Sequence, residues 1–153
     1  MTTTRSSCYV SAPRSAVYRA LLDARAVEQW MVPTGMTSCV HEFDAREGGT
    51  FRISLTYDAP TQAGKTSAQT DTFHGRFVKL VPDEQVVQVI EFESADPALR
   101  GEMRVTYTLR DAGGGTELIG VHAGLPAGVK PEDNELGWRI SMGKLAALVE
   151  AAR

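Results

Sequence analysis

Three histidines, His41, His74 and His122, are the side chains of this chain best suited to acid–base chemistry or metal binding. An imidazole changes charge near neutral pH and is a common metal ligand. The three lie on three different predicted strands, without the local spacing that accompanies zinc ligands, so no metal site is predicted. No Ser–His–Asp set, GxSxG elbow or paired-carboxylate motif stands out. The sequence therefore predicts neither a cofactor nor a catalytic set.

His122 has the most informative neighbours of the three. On the last predicted strand, His122 lies on the same face as Leu118 and Gly120, because successive side chains of a strand alternate between its two faces. Ile119 and Val121 lie on the other face. Glycine at position 120 leaves room for a helix or a ligand to come close. We expect His122 to face the concave side of a sheet, where desolvation keeps its ring neutral. It is then either a core histidine with a backbone hydrogen bond or a hydrogen-bonding or acid–base group in a cavity.

Two further polar motifs are interpreted as non-catalytic. Residues 59–66 fit a permissive phosphate-loop pattern, but such a loop needs a helix N-terminus at its Lys–Thr pair, and residues 66–70 are poor helix formers. We therefore predict that residues 59–70 form a mobile loop that binds no nucleotide. Asp44 and Arg46 are predicted to close the turn at Gly48 and Gly49 by an ion pair.

Length and composition favour a single globular domain over residues 1–153, with about residues 1–6 frayed. The net charge of −3 argues against a nucleic-acid-binding surface. No apolar run approaches the roughly 18 residues of a membrane span, and the N-terminus lacks the apolar core of a signal peptide. We expect a cytoplasmic protein that binds neither nucleic acid nor membrane, with Cys8 and Cys39 as reduced thiols.

Hydrophobic periodicity predicts one strand, two short helices, six strands and one long helix, in that order. Alternation is clearest in residues 50–57, where every second side chain is apolar, as in a half-buried antiparallel strand. The strands are predicted at residues 7–11, 38–44, 50–57, 72–81, 85–93, 102–110 and 116–123. The helices are predicted from Pro13 onward, over 24–30 and over 131–153.

The last predicted helix has one apolar face and must bury it on a sheet, because the other long elements are strands. Pro131 suits its first turn, where the missing N–H is not needed. We expect Trp138 to be the main anchor of this helix, and a helix in the hollow of a curved sheet leaves room for a cavity. The face consists of Trp138, Met142, Leu145, Leu148/Val149 and Ala152.

Four segments carry a family resemblance: Ala12-Pro13 with the apolar residues after it, Trp30 before Pro33 and Gly35, the segment FDAREGGTFR at 43–52, and Gly137-Trp138. Together they resemble the START-like helix-grip superfamily (SRPBCC). More narrowly, they resemble the family named after the C-terminal domain of the activator of the ninety-kilodalton heat-shock protein's ATPase. The resemblance implies an α+β fold in which a curved seven-stranded antiparallel sheet surrounds a long C-terminal helix, with two short helices between the first and second strands. It also implies an inward-facing His122, because the family's last strand carries a histidine at the matching position.

We predict that the domain binds a small, largely apolar molecule between the sheet and the last helix, since such sites are mostly apolar with a few polar groups. The domain either is a monomer or forms a homodimer, and the sequence does not decide between these two states. We do not predict that this chain activates a chaperone, because the activator after which the family is named has a further N-terminal domain. The candidate ligand-binding residues are Trp30, Phe51, Tyr57, Phe77, Tyr107, His122, Trp138 and Met142.

Two other functions remain open. One is a cyclase or isomerase that uses His122 with Tyr107 or Tyr57. The other is a protein-interaction module related to heat-shock-protein ATPase activators. An ionisable group in a sealed cavity favours the enzyme, a cavity without polar groups favours a carrier, and the absence of a cavity favours the interaction module.

Overall fold

The computed structural model describes residues 2–58 and 70–152. Seven antiparallel strands form one sheet. The strands are β1 (Thr2–Val10), β2 (Met36–Phe43), β3 (Thr50–Tyr57), β4 (Thr70–Val81), β5 (Gln85–Phe92), β6 (Met103–Ala112) and β7 (Gly115–Leu125). The helices are α1 (Arg14–Leu21), α2 (Ala24–Trp30) and α3 (Pro131–Ala151), and a 3₁₀ turn spans Pro97–Leu99. The predicted element order and the α+β helix-grip architecture are confirmed.

The strands lie in the order β1-β7-β6-β5-β4-β3-β2. Strands β2 to β7 therefore form a meander, β1 returns to pair with β7, and β5 is the central strand. The curved sheet covers α3 with its inner face, where the side chains of the hydrophobic core lie. No helix in the described part of the chain is long and apolar enough to cross a membrane.

The N-terminal strand begins at Thr2 rather than at residue 7. Residues 2–6, predicted to be frayed, are part of the sheet because each of them pairs with β7; Thr4, for example, lies opposite His122. Thr4 and Ser6 are buried under the C-terminal helix although both are polar. Backbone pairing with a distant strand orders this polar segment, and its threonines have a high strand propensity.

The two short helices are held by local signals and by one tryptophan. Pro13 precedes α1, and Asp23 caps α2 by accepting a hydrogen bond from the backbone N–H of Arg25 at 2.9 Å. Trp30 at the end of α2 is only 1% exposed. Its indole N–H donates to the backbone oxygen of Ala20 at 2.9 Å, which joins α2 to α1.

The inner face of α3 differs in part from its prediction. Met142, Leu145 and Val149 are buried as expected, whereas Ala152 is exposed beyond the end of the helix. Trp138 is half-buried and is therefore not the fully buried anchor that we expected. The helix packs on β7 at Gly120, where an added Cβ would lie 2.6 Å from Met142 Cε. Glycine therefore leaves room for the end of the Met142 side chain, which a larger residue would displace.

The turn before β3 has the predicted ion pair. Arg46 Nε donates to Asp44 Oδ2 at 2.8 Å, and the backbone N–H of Gly49 donates to the carbonyl of Arg46. Both charged side chains are exposed, so the pair contributes at most about 1 kcal/mol to stability. The predicted phosphate-loop motif and most of the predicted mobile loop, residues 59–69, lie outside the described residues.

Candidate functional site

A cavity of about 520 Å³ lies between the inner face of the sheet and the first half of α3. Its volume falls within the roughly 300–1,000 Å³ of small-molecule sites. Apolar side chains of the sheet, such as Leu55, Phe73 and Ile90, form much of its wall, and Trp138 and Ile140 of α3 cover them. Its exposed lining residues include Lys130, which precedes α3, and Asp133 in the first turn of α3.

His122 lines the cavity wall where β7 meets α3, and it is 6% exposed. Trp138 Nε1 donates a hydrogen bond to His122 Nδ1 at 2.8 Å. Because an indole N–H only donates, Nδ1 is the acceptor and the ring carries its proton on Nε2. That N–H faces Met103 Sδ at 3.2 Å. Burial lowers the pKa of His122 to about 4, so the ring is neutral at physiological pH.

A short polar network connects this histidine to the N-terminal strand. Asn134 Nδ2 lies 3.4 Å from His122 Nδ1, and Asn134 Oδ1 accepts a hydrogen bond from Thr4 Oγ1 at 2.6 Å. The network links β1, β7 and α3, and Trp138 completes it. Both ring nitrogens of His122 thus face protein groups, and these contacts connect α3 to the sheet.

Tyr107 lies in the core between two tryptophans and is fully buried. Its ring makes edge contacts with Trp30 and Trp138, at centroid distances of 6.4 and 5.5 Å. Its hydroxyl has no hydrogen-bond partner within the described part of the chain. Burial raises the pKa of Tyr107 well above its usual value, so the phenol stays protonated.

We expect Tyr107→Phe to leave the protein as stable as the wild type or to stabilise it by about 1 kcal/mol. The change removes a buried hydroxyl that gains no hydrogen bond from the fold. Urea denaturation of the two proteins measures the difference in the free energy of unfolding. A loss of more than about 1 kcal/mol would mean that the hydroxyl does have a partner.

Three of the eight predicted ligand-binding residues line the cavity: Tyr57, His122 and Trp138. The other five are at most 2% exposed and lie in the packed core instead. Their side chains fill the space between the sheet and the helices away from the cavity. These five are Trp30, Phe51, Phe77, Tyr107 and Met142.

Sequence reasoning missed three buried polar residues that line the cavity. They are Asp71 on β4, Gln88 on β5 and Ser141 on α3, which are 3%, 4% and 5% exposed. A signal for Gln88 existed, because it stands alone between valines in the central strand QVVQVIEF. That strand is apolar on both faces, so alternation does not reveal which way Gln88 points.

No group of three or more His, Cys, Asp or Glu within residues 2–58 and 70–152 has the arrangement of a metal site. His74 lies outside the cavity, with Nδ1 3.1 Å from Glu93, which also pairs with Arg52 at 2.9 Å. The hydrogen bond from Arg52 keeps the pKa of Glu93 below its usual value. His41 is exposed on β2 and contacts Ser54.

Comparison with known proteins gives a consistent family assignment. The family model described as Activator of Hsp90 ATPase homolog 1-like protein matches residues 11–150. The crystal structure of protein CV1439 from Chromobacterium violaceum is 38% identical, with a TM-score of 0.86, and the match covers 97% of this chain and 96% of that one. The solution structure of an AHSA1-like protein from Aeromonas hydrophila is 15% identical, with a TM-score of 0.72 over 99% and 94% of the two chains. No curated protein matches the chain.

Proposed function

The chain belongs to the Activator of Hsp90 ATPase homolog 1-like protein family, and from this premise we propose that it binds a small, largely apolar molecule in the cavity between the sheet and α3. The observation that carries the proposal is the cavity itself, which has about 520 Å³ of space. Protein interiors are otherwise packed as densely as organic crystals, and voids larger than a water molecule are few. A space of this size with mostly apolar walls has the properties of a small-molecule site.

The proposal favours binding over catalysis because two of the three candidate acid–base residues, His122 and Tyr107, are poorly placed for proton transfer. His122 accepts from Trp138 and faces Met103, and the hydroxyl of Tyr107 has no hydrogen-bond partner among the described residues. A cyclase or isomerase needs at least one group that exchanges a proton with its substrate, and Tyr57 and Asp71, which line the cavity, are the groups left for that role. A protein-interaction module needs no apolar cavity of this size, so the cavity supports this alternative less well.

Filling the cavity should abolish binding. Leu55 on β3 lines the cavity and is half-buried, so Leu55→Trp places a larger ring in the space without removing a hydrogen bond. We expect the neutral dye Nile red to bind the wild type saturably and to bind Leu55→Trp at least about tenfold more weakly, since one steric clash readily costs 1–3 kcal/mol. Dye fluorescence in a protein titration measures both affinities.

Val78→Trp is the matched control, because Val78 lies on β4, is 38% exposed and does not line the cavity. It should bind Nile red like the wild type. Equal binding by all three proteins would place the dye elsewhere and contradict the proposal. Native mass spectrometry of the freshly purified protein addresses the physiological molecule, and the proposal expects an added mass that Leu55→Trp lacks.

A further inference from the structure

Gln88 is placed at the centre of the cavity floor. It lies on β5, the middle strand of the sheet, between Phe77 on β4 and Val105 on β6. Val105 in turn lies opposite His122, so Gln88, Val105 and His122 form one row across the sheet. All three line the cavity. Adjacent strands are about 4.8 Å apart, which puts the backbones at Gln88 and His122 about 10 Å from each other.

The amide of Gln88 makes no hydrogen bond within the described residues, and its polar atoms are not sealed off from the cavity. Other buried polar groups do have partners: Thr116 Oγ1 donates to the backbone oxygen of Ala12 at 2.7 Å, and His122 accepts from Trp138. Buried polar side chains are paired in the large majority of cases, because an unpaired one loses its hydration without compensation. The amide of Gln88 lines the cavity, and a molecule there can supply the missing partner.

A second polar group lies on the opposite wall. Ser141 on α3 is 5% exposed and lines the cavity, and its hydroxyl likewise makes no hydrogen bond within the described residues. The floor therefore offers an amide that both donates and accepts, and the roof offers a hydroxyl that does the same. Both groups are neutral, and both are set in walls that are otherwise mostly apolar.

The described charges around the cavity do not favour an anion. Among the described lining residues, the charged side chains are the buried Asp71 and the exposed Asp133 and Lys130. His122 is neutral, because burial lowers its pKa to about 4. A carboxylate on the ligand would find no buried cation among the described lining residues to offset its loss of hydration.

We infer that Gln88 is the polar anchor of the cavity and that it selects an apolar ligand with a neutral hydrogen-bonding group, such as a ketone, an amide or an alcohol. The inference rests on the proposed function and narrows it to one class of ligand. Fatty acids and other apolar carboxylates are excluded by the same reasoning.

Three probes of nearly equal size test the inference by displacement of Nile red: 2-acetylnaphthalene, 2-isopropylnaphthalene and 2-naphthoate. The variant is Gln88→Leu, which keeps the shape of the side chain and removes its polar atoms. Gln85→Leu is the matched control, because Gln85 lies on the same strand and does not line the cavity. If Gln88 makes one hydrogen bond to the ketone, its loss in Gln88→Leu should weaken the binding of 2-acetylnaphthalene about fivefold relative to that of 2-isopropylnaphthalene. The ratio of the two affinities should not change in Gln85→Leu, and 2-naphthoate should bind the wild type most weakly.

An unchanged ratio in Gln88→Leu, or tightest binding by 2-naphthoate, would overturn the inference while the proposed function stands. A wild type that binds neither Nile red nor any of the three probes would remove both. Gln88→Leu should fold at least as stably as the wild type, because it replaces an unpaired buried amide by an apolar group of similar shape. Its urea denaturation curve is recorded alongside the titrations.

Discussion

Trp30→Ala is expected to lower the free energy of unfolding by about 3–5 kcal/mol, the usual cost of removing a fully buried tryptophan. Trp30 is 1% exposed, and its ring makes an edge contact with Tyr107. The change also removes the indole N–H that donates to Ala20 and leaves that buried carbonyl without its partner. Urea denaturation, monitored by far-UV circular dichroism, measures the loss.

The stability of Trp138→Ala should be compared with that of Trp30→Ala. Trp138 is half-buried beside the cavity, so its removal should destabilise the protein less than Trp30→Ala does. It should also weaken the binding of Nile red, because Trp138 is part of the cavity wall. If Trp138→Ala proved the more destabilising change and left dye binding intact, Trp138 would be the anchor that the sequence predicted.

Acid is expected to destabilise the protein through His122 by about 3 kcal/mol between pH 6.5 and pH 4. Burial lowers the pKa of His122 to about 4 in the folded protein, while an unfolded histidine has a pKa of about 6.5. Above pH 6.5 the ring is neutral in both states, and this contribution to stability is fully present. As the pH falls below 6.5 the unfolded state gains a proton first, so stability is lost until the folded state is protonated near pH 4.

The contacts of His122 explain why the folded state resists the proton. The ring faces Trp138 and Asn134 on α3 and Met103 on β6, and all of these side chains are uncharged. A proton on Nδ1 would also remove the acceptor that holds Trp138 at the cavity wall. Protonation should therefore weaken ligand binding as well as stability.

His122→Gln tests this assignment, because a glutamine oxygen can accept from Trp138 and does not titrate. Urea denaturation at a series of pH values from 7 to 4 should show a shallower loss of stability in the variant than in the wild type. An NMR titration should find His122 still neutral near pH 5. Equal pH dependence in the two proteins would contradict the assignment.

Much of the fold follows from the sequence alone, because its main signals are local. The predicted bounds of α2 and β3 agree with the structure, since Asp23 provides a helix cap and Phe51 to Tyr57 alternate strictly. In α2 and β3 a short stretch of chain contains the whole signal. The inward direction of His122 was also predicted correctly, but from its alternation with Leu118 and Gly120 together with the family resemblance.

Tertiary structure alone decided which inward-facing residues line the cavity. Trp30, Phe51, Phe77 and Tyr107 point inward like Tyr57, but the sequence does not show where α3 lies against the sheet and closes the space above them. Gln88 was missed because β5 is buried along most of its length and shows no alternation.

Contacts between distant segments are the least predictable part of the site. Thr4 meets Asn134, 130 residues away in the chain, and their hydrogen bond places the first strand and the last helix around His122. Periodicity reports which face of an element is apolar, whereas such a contact depends on how separate elements come together. The sequence thus determined a helix on a curved sheet, and only the packing of that helix determined where the cavity lies and which polar groups face it.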